Sequence, residues 1–235
     1  VYIDREANRL LSDFVARKIR SRVVDEKTAE LLIPKDHGFG TKRVPQETFY
    51  YEVYNQSNVR LVSLMETPFE CVTSKGLKTT DREYEFDTIV YATGFDAITG
   101  SFDRIDVRGV NGRSLRESWR SKIVTFLGVQ VPAFPNFFMI PGPQVLFANH
   151  TRLAEFNVEW VTALIKHVDE KGLTRVEPRL DAAEDWSNHV EESGKELLIN
   201  EVDSWMSGVN SNVEGKQSRV FVRYDGIWPA YRKRC

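Results

Sequence analysis

Lys42 and Arg43 stand side by side after a glycine-bounded turn, Gly38-Phe39-Gly40-Thr41. A guanidinium is planar and always charged, so it can stabilise an oxyanion in a buried setting where a lysine could lose its proton. A lysine next to it suits a phosphate, as a compact point charge. The plain alternative is a solvated basic pair on a turn, the usual fate of an isolated Lys-Arg. Three further places could carry chemistry. Thr93, Gly94 and Asp96 end an apolar run, where a glycine lets backbone approach a ligand closely, or simply makes a strand-ending turn. Gly142 and Pro143 form a second such turn, and Asn149 and His150 open a helical segment whose amide dipole can face an anion. Trp205, in Asp203-Ser204-Trp205, offers an aromatic surface, although a tryptophan there is more often core than ligand contact.

What is missing narrows the chemistry. Gly38-Phe39-Gly40 begins a G-x-G-x-x-G pattern, but Arg43 holds the third glycine position and the turn follows a helix and Pro34 rather than a strand. Cys71 and Cys235 are far apart and in no metal-ligand or redox spacing, which excludes a thiol–disulfide reductase and a zinc site. Lys and Arg number 32 against 34 Asp and Glu, with no basic block, so nucleic acid is not an expected partner. The apolar stretch 124–148 is broken by Pro132, Pro135, Pro141 and Pro143 and cannot be a continuous membrane helix. With 41% hydrophobic and 28% charged residues, the composition is that of a folded, cytoplasmic globular protein.

The elements that must hold these residues can be read from periodicity. Residues 4–24 run at helical period with Leu10, Leu11, Phe14, Val15 and Ile19 along one side, and 26–32 form a second short helix stopped by Pro34. From residue 59 the pattern turns to β-like runs, 59–64, 69–73 and 84–92. The last of these is apolar enough to be a buried strand, and it would deliver Thr93-Gly94 to the end of a sheet, where α/β folds bind ligands. A further strand is expected at 136–140, amphipathic helices at 151–171 and 182–199, a strand at 220–224 and a short helix at 230–234. Because Val1 is no initiator methionine and a helix begins at once, the chain is expected to open inside a larger protein.

Five segments carry a resemblance in order and spacing: Gly38 to Arg43, Phe49-Tyr50-Tyr51-Glu52 with Asn58-Val59, Tyr91 to Asp96 with Thr99-Gly100, Phe134-Pro135-Asn136 with Gly142-Pro143, and Asp203-Ser204-Trp205. Each alone is weak, but the ordered set, covering nearly the whole chain, resembles the carboxyl-terminal part of the Baeyer–Villiger monooxygenase family. The family's own F-x-G-x-x-x-H-x-x-x-W signature is absent here. The resemblance implies an α/β fold, part of a flavoprotein with two dinucleotide-binding domains. Residues 1–36 would be a helical subdomain of the NADPH domain, 37–88 the end of that domain and 89–235 the carboxyl-terminal part of the FAD domain. It implies FAD and NADPH as cofactors and conversion of a small-molecule ketone, with O2, to an ester or lactone through a flavin C4a-peroxide. Arg43 would be catalytic, lying over the flavin, and Lys42 would reach the 2′-phosphate of NADPH. Thr93, Gly94 and Asp96 would lie at the junction of the domains, Gly142, Pro143, Asn149 and His150 beside the flavin, and Trp205 on the nicotinamide side. Leu146 and Phe147 would line the substrate pocket, on a loop that looks shorter than the common family form. Both dinucleotide fingerprints and the acidic partner of the arginine would belong to a missing amino-terminal half, so the isolated chain is expected to be inactive. Two other readings stand beside this one: a flavin-containing N- or S-oxygenase, and a non-catalytic fragment or paralogue that folds around a partner chain.

Overall fold

The computed structural model describes residues 1–235, which divide into two compact units: residues 1 and 3–94, and residue 2 with 95–235. In the first unit, α1 (Arg5–Arg20) starts where the Asp4 carboxylate accepts the Ala7 N–H at 2.7 Å, and it carries Arg17, Lys18 and Arg20 in its last turn, where cations suit the helix dipole. α2 (Glu26–Leu32) is capped in the same way by Asp25 and ends as Pro34 requires. The two helices enclose a small core of Ala16, Ile19, Val23, Ala29 and Ile33, against which Tyr51 and Tyr54 pack. Arg22 holds the 47–55 segment to that core through Glu47 and Glu52 at 2.7 and 2.6 Å.

The inner face of α1 differs from the expected one. Leu10 and Phe14 are exposed, and the buried positions are Asn8, Ala16 and Ile19. Helical period alone gives a stripe's spacing but not which flank a neighbour covers, and α2 with the 38–41 turn covers the side that includes Asn8.

The sheet departs furthest from expectation. Strands β1 (Phe69–Val72), β2 (Gly76–Thr79) and β3 (Glu83–Glu85) form one antiparallel sheet in the order β1-β2-β3. Only β1 coincides with an expected strand. Gly76, expected in a turn, begins β2, and an added Cβ there would lie 1.9 Å from the Tyr84 carbonyl oxygen, so the hairpin closes only around glycine. Residues 59–64 are irregular, and the run expected as a buried strand over 84–92 pairs only through β3. Beyond it, Val90, Tyr91 and Phe95 are 81%, 69% and 94% exposed. A strand needs a neighbour to complete its ladder, and no other segment of this chain supplies one.

The second unit is mainly helical. Short helices α3 (Gly100–Asp103) and α4 (Leu115–Ser118) precede two long ones, α5 (His150–Glu170) and α6 (Leu180–Gly194), and α7 (Trp228–Arg234) closes the chain. Leu153 and Val161 of α5, Trp186 and Val190 of α6, and Tyr231 of α7 meet in one core with Leu127, Val129, Leu146 and Tyr224. A second core gathers Leu115, Trp119, Ile123, Val131, Phe134, Met139 and Val222. The strands expected at 136–140 and 220–224 are not formed: 136–140 makes only scattered backbone bonds, and 220–224 pairs with 144–147 over too short a stretch to make a ladder. Leu146 and Tyr224 make one parallel bridge, flanked by Tyr224 N–H to Val145 O and Phe147 N–H to Tyr224 O, both 2.8 Å. No helix is long and apolar enough to cross a membrane.

Candidate functional site

The first unit carries the basic pair. Gly38 to Thr41 is a tight turn in which the Thr41 N–H and hydroxyl both donate to the Gly38 carbonyl, at 3.2 and 2.8 Å, with Thr41 buried. Lys42 and Arg43 leave this turn at once. The Lys42 ammonium pairs with Asp36 at 2.7 Å on the other side of the turn. That bond, then the one from His37, holds the Asp36 carboxyl down at about 2. Arg43 is exposed and makes neither a hydrogen bond nor an ion pair. Two adjacent cations just after a closed turn, one unpaired and the other tied only to an exposed carboxylate, form a donor set suited to an anion. Thr93 and Gly94 are exposed in the same unit, and Gly94 has φ +84 with open space where a side chain would stand.

The second unit holds the remaining candidates, and several of them meet. Asn149 caps α5 by accepting the Arg152 N–H at 3.2 Å, so His150 is the helix's first residue. The His150 ring stands edge-on to Phe147, centroids 6.2 Å apart. Val145 and Leu146, 7% and 1% exposed, both pack into the core, while Phe147 is half-buried. Gly142 is close to Gly128, where a Cβ would come within 2.7 Å of the Gly128 carbonyl, and Pro143 beside it is buried. Trp205 is 39% exposed at the head of a short 3-10 turn capped by the Ser204 side chain.

Asp96 does not stand free. Its carboxylate takes the Lys216 ammonium at 2.8 and 2.9 Å, and Lys216 also reaches Asp103 at 2.9 Å. Lys216 lies 120 positions away in sequence, and spacing gives no sign of it. Arg223 is the other residue that sequence reasoning missed. It is 4% exposed, pairs with Asp225 at 2.8 Å, donates to the Met206 carbonyl at 2.9 Å, and lies 5.1 Å over the Phe147 ring. One guanidinium thereby ties the turn of Trp205 to the Phe147 wall. A buried arginine in an apolar run, Val220-Phe221-Val222-Arg223-Tyr224, was the available signal.

No family model matches the chain. It is 43% identical over 235 residues to the 2-oxo-Δ3-4,5,5-trimethylcyclopentenylacetyl-CoA monooxygenase of Pseudomonas putida, covering 99% of this chain and 43% of that protein. Acetone monooxygenase (methyl acetate-forming) of Gordonia sp. is 39% identical, covering 99% of this chain and 44% of its own length. Relatives named phenazine N-monooxygenase, from Lysobacter antibioticus, and Baeyer-Villiger monooxygenase, from Pseudooceanicola batsensis, are each 36% identical, over 97% and 94% of this chain and 41% and 40% of their own lengths. The crystal structure of OTEMO in complex with FAD and NADP superposes on all of this chain and 43% of its own, with a TM-score of 0.92 and 43% identity. The fold is therefore that of a flavin monooxygenase of mixed helix and sheet, and the chain spans less than half the length of the relatives it matches. Matched almost end to end in sequence and in fold, the chain is similar to part of these monooxygenases, a Baeyer–Villiger monooxygenase among them.

Proposed function

We propose that this chain is the carboxyl-terminal part of an FAD- and NADPH-dependent monooxygenase that converts ketones to esters or lactones. In this reading, residues 1–36 are the helical subdomain of the NADPH domain, 37–88 the end of that domain and 89–235 the carboxyl-terminal part of the FAD domain. Arg43 carries the reading: an exposed guanidinium without an anionic partner, beside Lys42 and just after a turn that Thr41 closes onto the Gly38 carbonyl. The exposed apolar segment around Val90, Tyr91 and Phe95 supports an amino-terminal half that adds strands to it. FAD reduced by NADPH supplies the oxygen-activating chemistry when bound. Lys42 would exchange Asp36 for the 2′-phosphate, trading one exposed carboxylate for a more highly charged anion. Arg43 would stabilise negative charge developing on oxygen at the ketone carbonyl, a role its fixed charge allows and that costs no proton transfer. Phe147 would wall the substrate pocket with Leu146 behind it. Gly142, Pro143, Asn149 and His150 would face the flavin, Trp205 the nicotinamide, and Thr93, Gly94 and the Lys216-tied Asp96 would form the crossing between domains.

The test separates the two half-reactions in the complete enzyme. Reduction by NADPH depends on orienting the cofactor, whereas attack on the ketone places new negative charge beside Arg43. For Arg43→Ala, flavin reduction followed by stopped flow should stay within about tenfold, while ester formation should fall by at least ~10²-fold, as when one oxyanion-stabilising donor is lost. Arg43→Lys should fail nearly as badly, because an ammonium lacks the planar fork. Ester formation at the unaltered rate in either variant would remove Arg43 from the chemistry. The 36% identity to a phenazine N-monooxygenase favours N-oxygenation as the second reading. Turnover of an aromatic N-heterocycle to its N-oxide, with none of a cyclic ketone, would select it.

A further inference from the structure

We propose that Asn8 and Ser12, on the inward face of α1, are positioning residues that set where Lys42 meets the phosphate of the dinucleotide. The inference rests on the reading of Lys42 given above. Asn8 is a polar side chain in a helix interior and only 5% exposed, a placement that costs free energy unless its amide is well used. Its Nδ2 donates to the Phe39 carbonyl at 2.9 Å and to the Val1 carbonyl at 3.1 Å. One turn on, the Ser12 hydroxyl accepts the Phe39 N–H at 2.9 Å and donates to the Asn8 carbonyl at 2.8 Å. Both backbone groups of Phe39 are therefore held by α1, by two residues four apart on one helix face.

The fit extends to Gly38. A Cβ at that position would lie 1.9 Å from Asn8 Oδ1, so the turn seats directly against the Asn8 amide, which any larger residue would displace. Thr41 closes the turn onto the Gly38 carbonyl, and Lys42 is the next residue. The path from α1 to the Lys42 backbone thus runs through hydrogen bonds and packed backbone with no free rotor in between. Asp36, exposed before the turn, and Lys42, half-buried after it, are the adjustable parts; the fixed part is the 38–41 segment seated on Asn8 and Ser12.

The experiment uses the complete, FAD-loaded enzyme and measures equilibrium binding of NADP+ and NAD+ by calorimetry, together with hydrogen exchange at the Phe39 amide. The two ligands differ only in the phosphate, so their Kd ratio cancels any general loss of stability. Lys42→Ala is the reference and should reduce the NADP+ over NAD+ preference by about tenfold to a hundredfold, the range of a charge-assisted contact. Asn8→Ala and Ser12→Ala should each reduce the preference by roughly threefold to tenfold, as a displaced rather than deleted charge, and should speed exchange at Phe39. Ser12→Thr, which keeps the hydroxyl, should stay within about twofold. Adding Asn8→Ala to Lys42→Ala should change the preference no further, because Asn8 acts through Lys42. A preference unchanged in folded Asn8→Ala and Ser12→Ala, while Lys42→Ala loses it, overturns the positioning role and leaves the Lys42 reading intact. A preference unchanged in Lys42→Ala overturns that reading and the inference with it. If neither alanine variant folds with bound FAD, Asn8 and Ser12 are structural residues and the proposal fails.

Discussion

Replacing Gln144 by leucine should loosen the turn that carries Gly142 and Pro143. Gln144 is 3% exposed and every polar atom of its side chain is engaged. Its Oε1 accepts the Thr125 N–H at 3.2 Å and the Ser187 hydroxyl at 2.9 Å, and lies 2.9 Å from the Thr125 hydroxyl. Its Nε2 donates to the Ile123 carbonyl at 2.9 Å. A leucine of similar volume leaves the Thr125 N–H, the Ser187 hydroxyl and the Ile123 carbonyl buried without these partners, each costing about 1–3 kcal/mol. The Thr125 hydroxyl keeps an alternative acceptor in the Pro143 carbonyl at 3.1 Å, so it adds little. Burial of the leucine side chain returns roughly 1–2 kcal/mol. The net loss should be about 1–8 kcal/mol, and at about 1.4 kcal/mol per decade the Thr125 amide should exchange with solvent at least about fivefold faster. Hydrogen exchange by mass spectrometry across residues 123–125 of the complete enzyme reads this directly. Exchange within about twofold of the parent would show that the network carries no local stability.

Three further outcomes are expected. Lys216→Met leaves Asp96 and Asp103, both poorly exposed, facing each other without their shared cation, and should cost about 1–3 kcal/mol in urea unfolding; an unchanged midpoint would refute the role of the triad. The Asp36 carboxyl is held at about 2 by Lys42 and then His37, below its ordinary value. A depressed carboxyl contributes its stability above the ordinary value near ~4 and loses it as pH falls through about 2, so carboxyl NMR of Asp36 should titrate near that lower pH and shift upward in Lys42→Ala. The isolated 235-residue chain, which carries no G-x-G-x-x-G fingerprint, should lose FAD on a desalting column; stoichiometric flavin on it would contradict the assignment of cofactor binding to a second half.

Helices were legible because their information is local. α2 occupies the expected residues 26–32, set by the Asp25 cap and Pro34, and α5 was displaced by a single residue at each end. Strands were not, because a ladder is a property of two segments. The apolar run 84–92 is as strand-like as any part of the sequence, yet it pairs only through β3. β2 escaped notice because Gly76 and Lys78 break its apolar pattern, and its pairing is fixed by the hairpin closure at Thr73 and Gly76.

The site divides along the same line. Residue types that carry charge or chemistry, Lys42, Arg43, Phe147 and Trp205, were visible because their chemistry is intrinsic to the side chain. The residues that hold them were not visible, because holding is a relation between distant positions. In each case the holder is a buried or half-buried polar group: Asn8 and the half-buried Ser12 under the 38–41 turn, Gln144 with Thr125 and Ser187 under Gly142-Pro143, and Arg223 between Met206 and Phe147. Apolar packing that replaced every partner at once would stabilise these turns about as well, since a satisfied buried hydrogen bond contributes only about 1 kcal/mol net, whereas removing one partner alone is costly. What an amide or guanidinium adds is direction: it fixes backbone groups in one register where methyl groups would tolerate several. On the proposed reading, in which one turn presents a cation and another an aromatic wall, that register matters more than the extra stability.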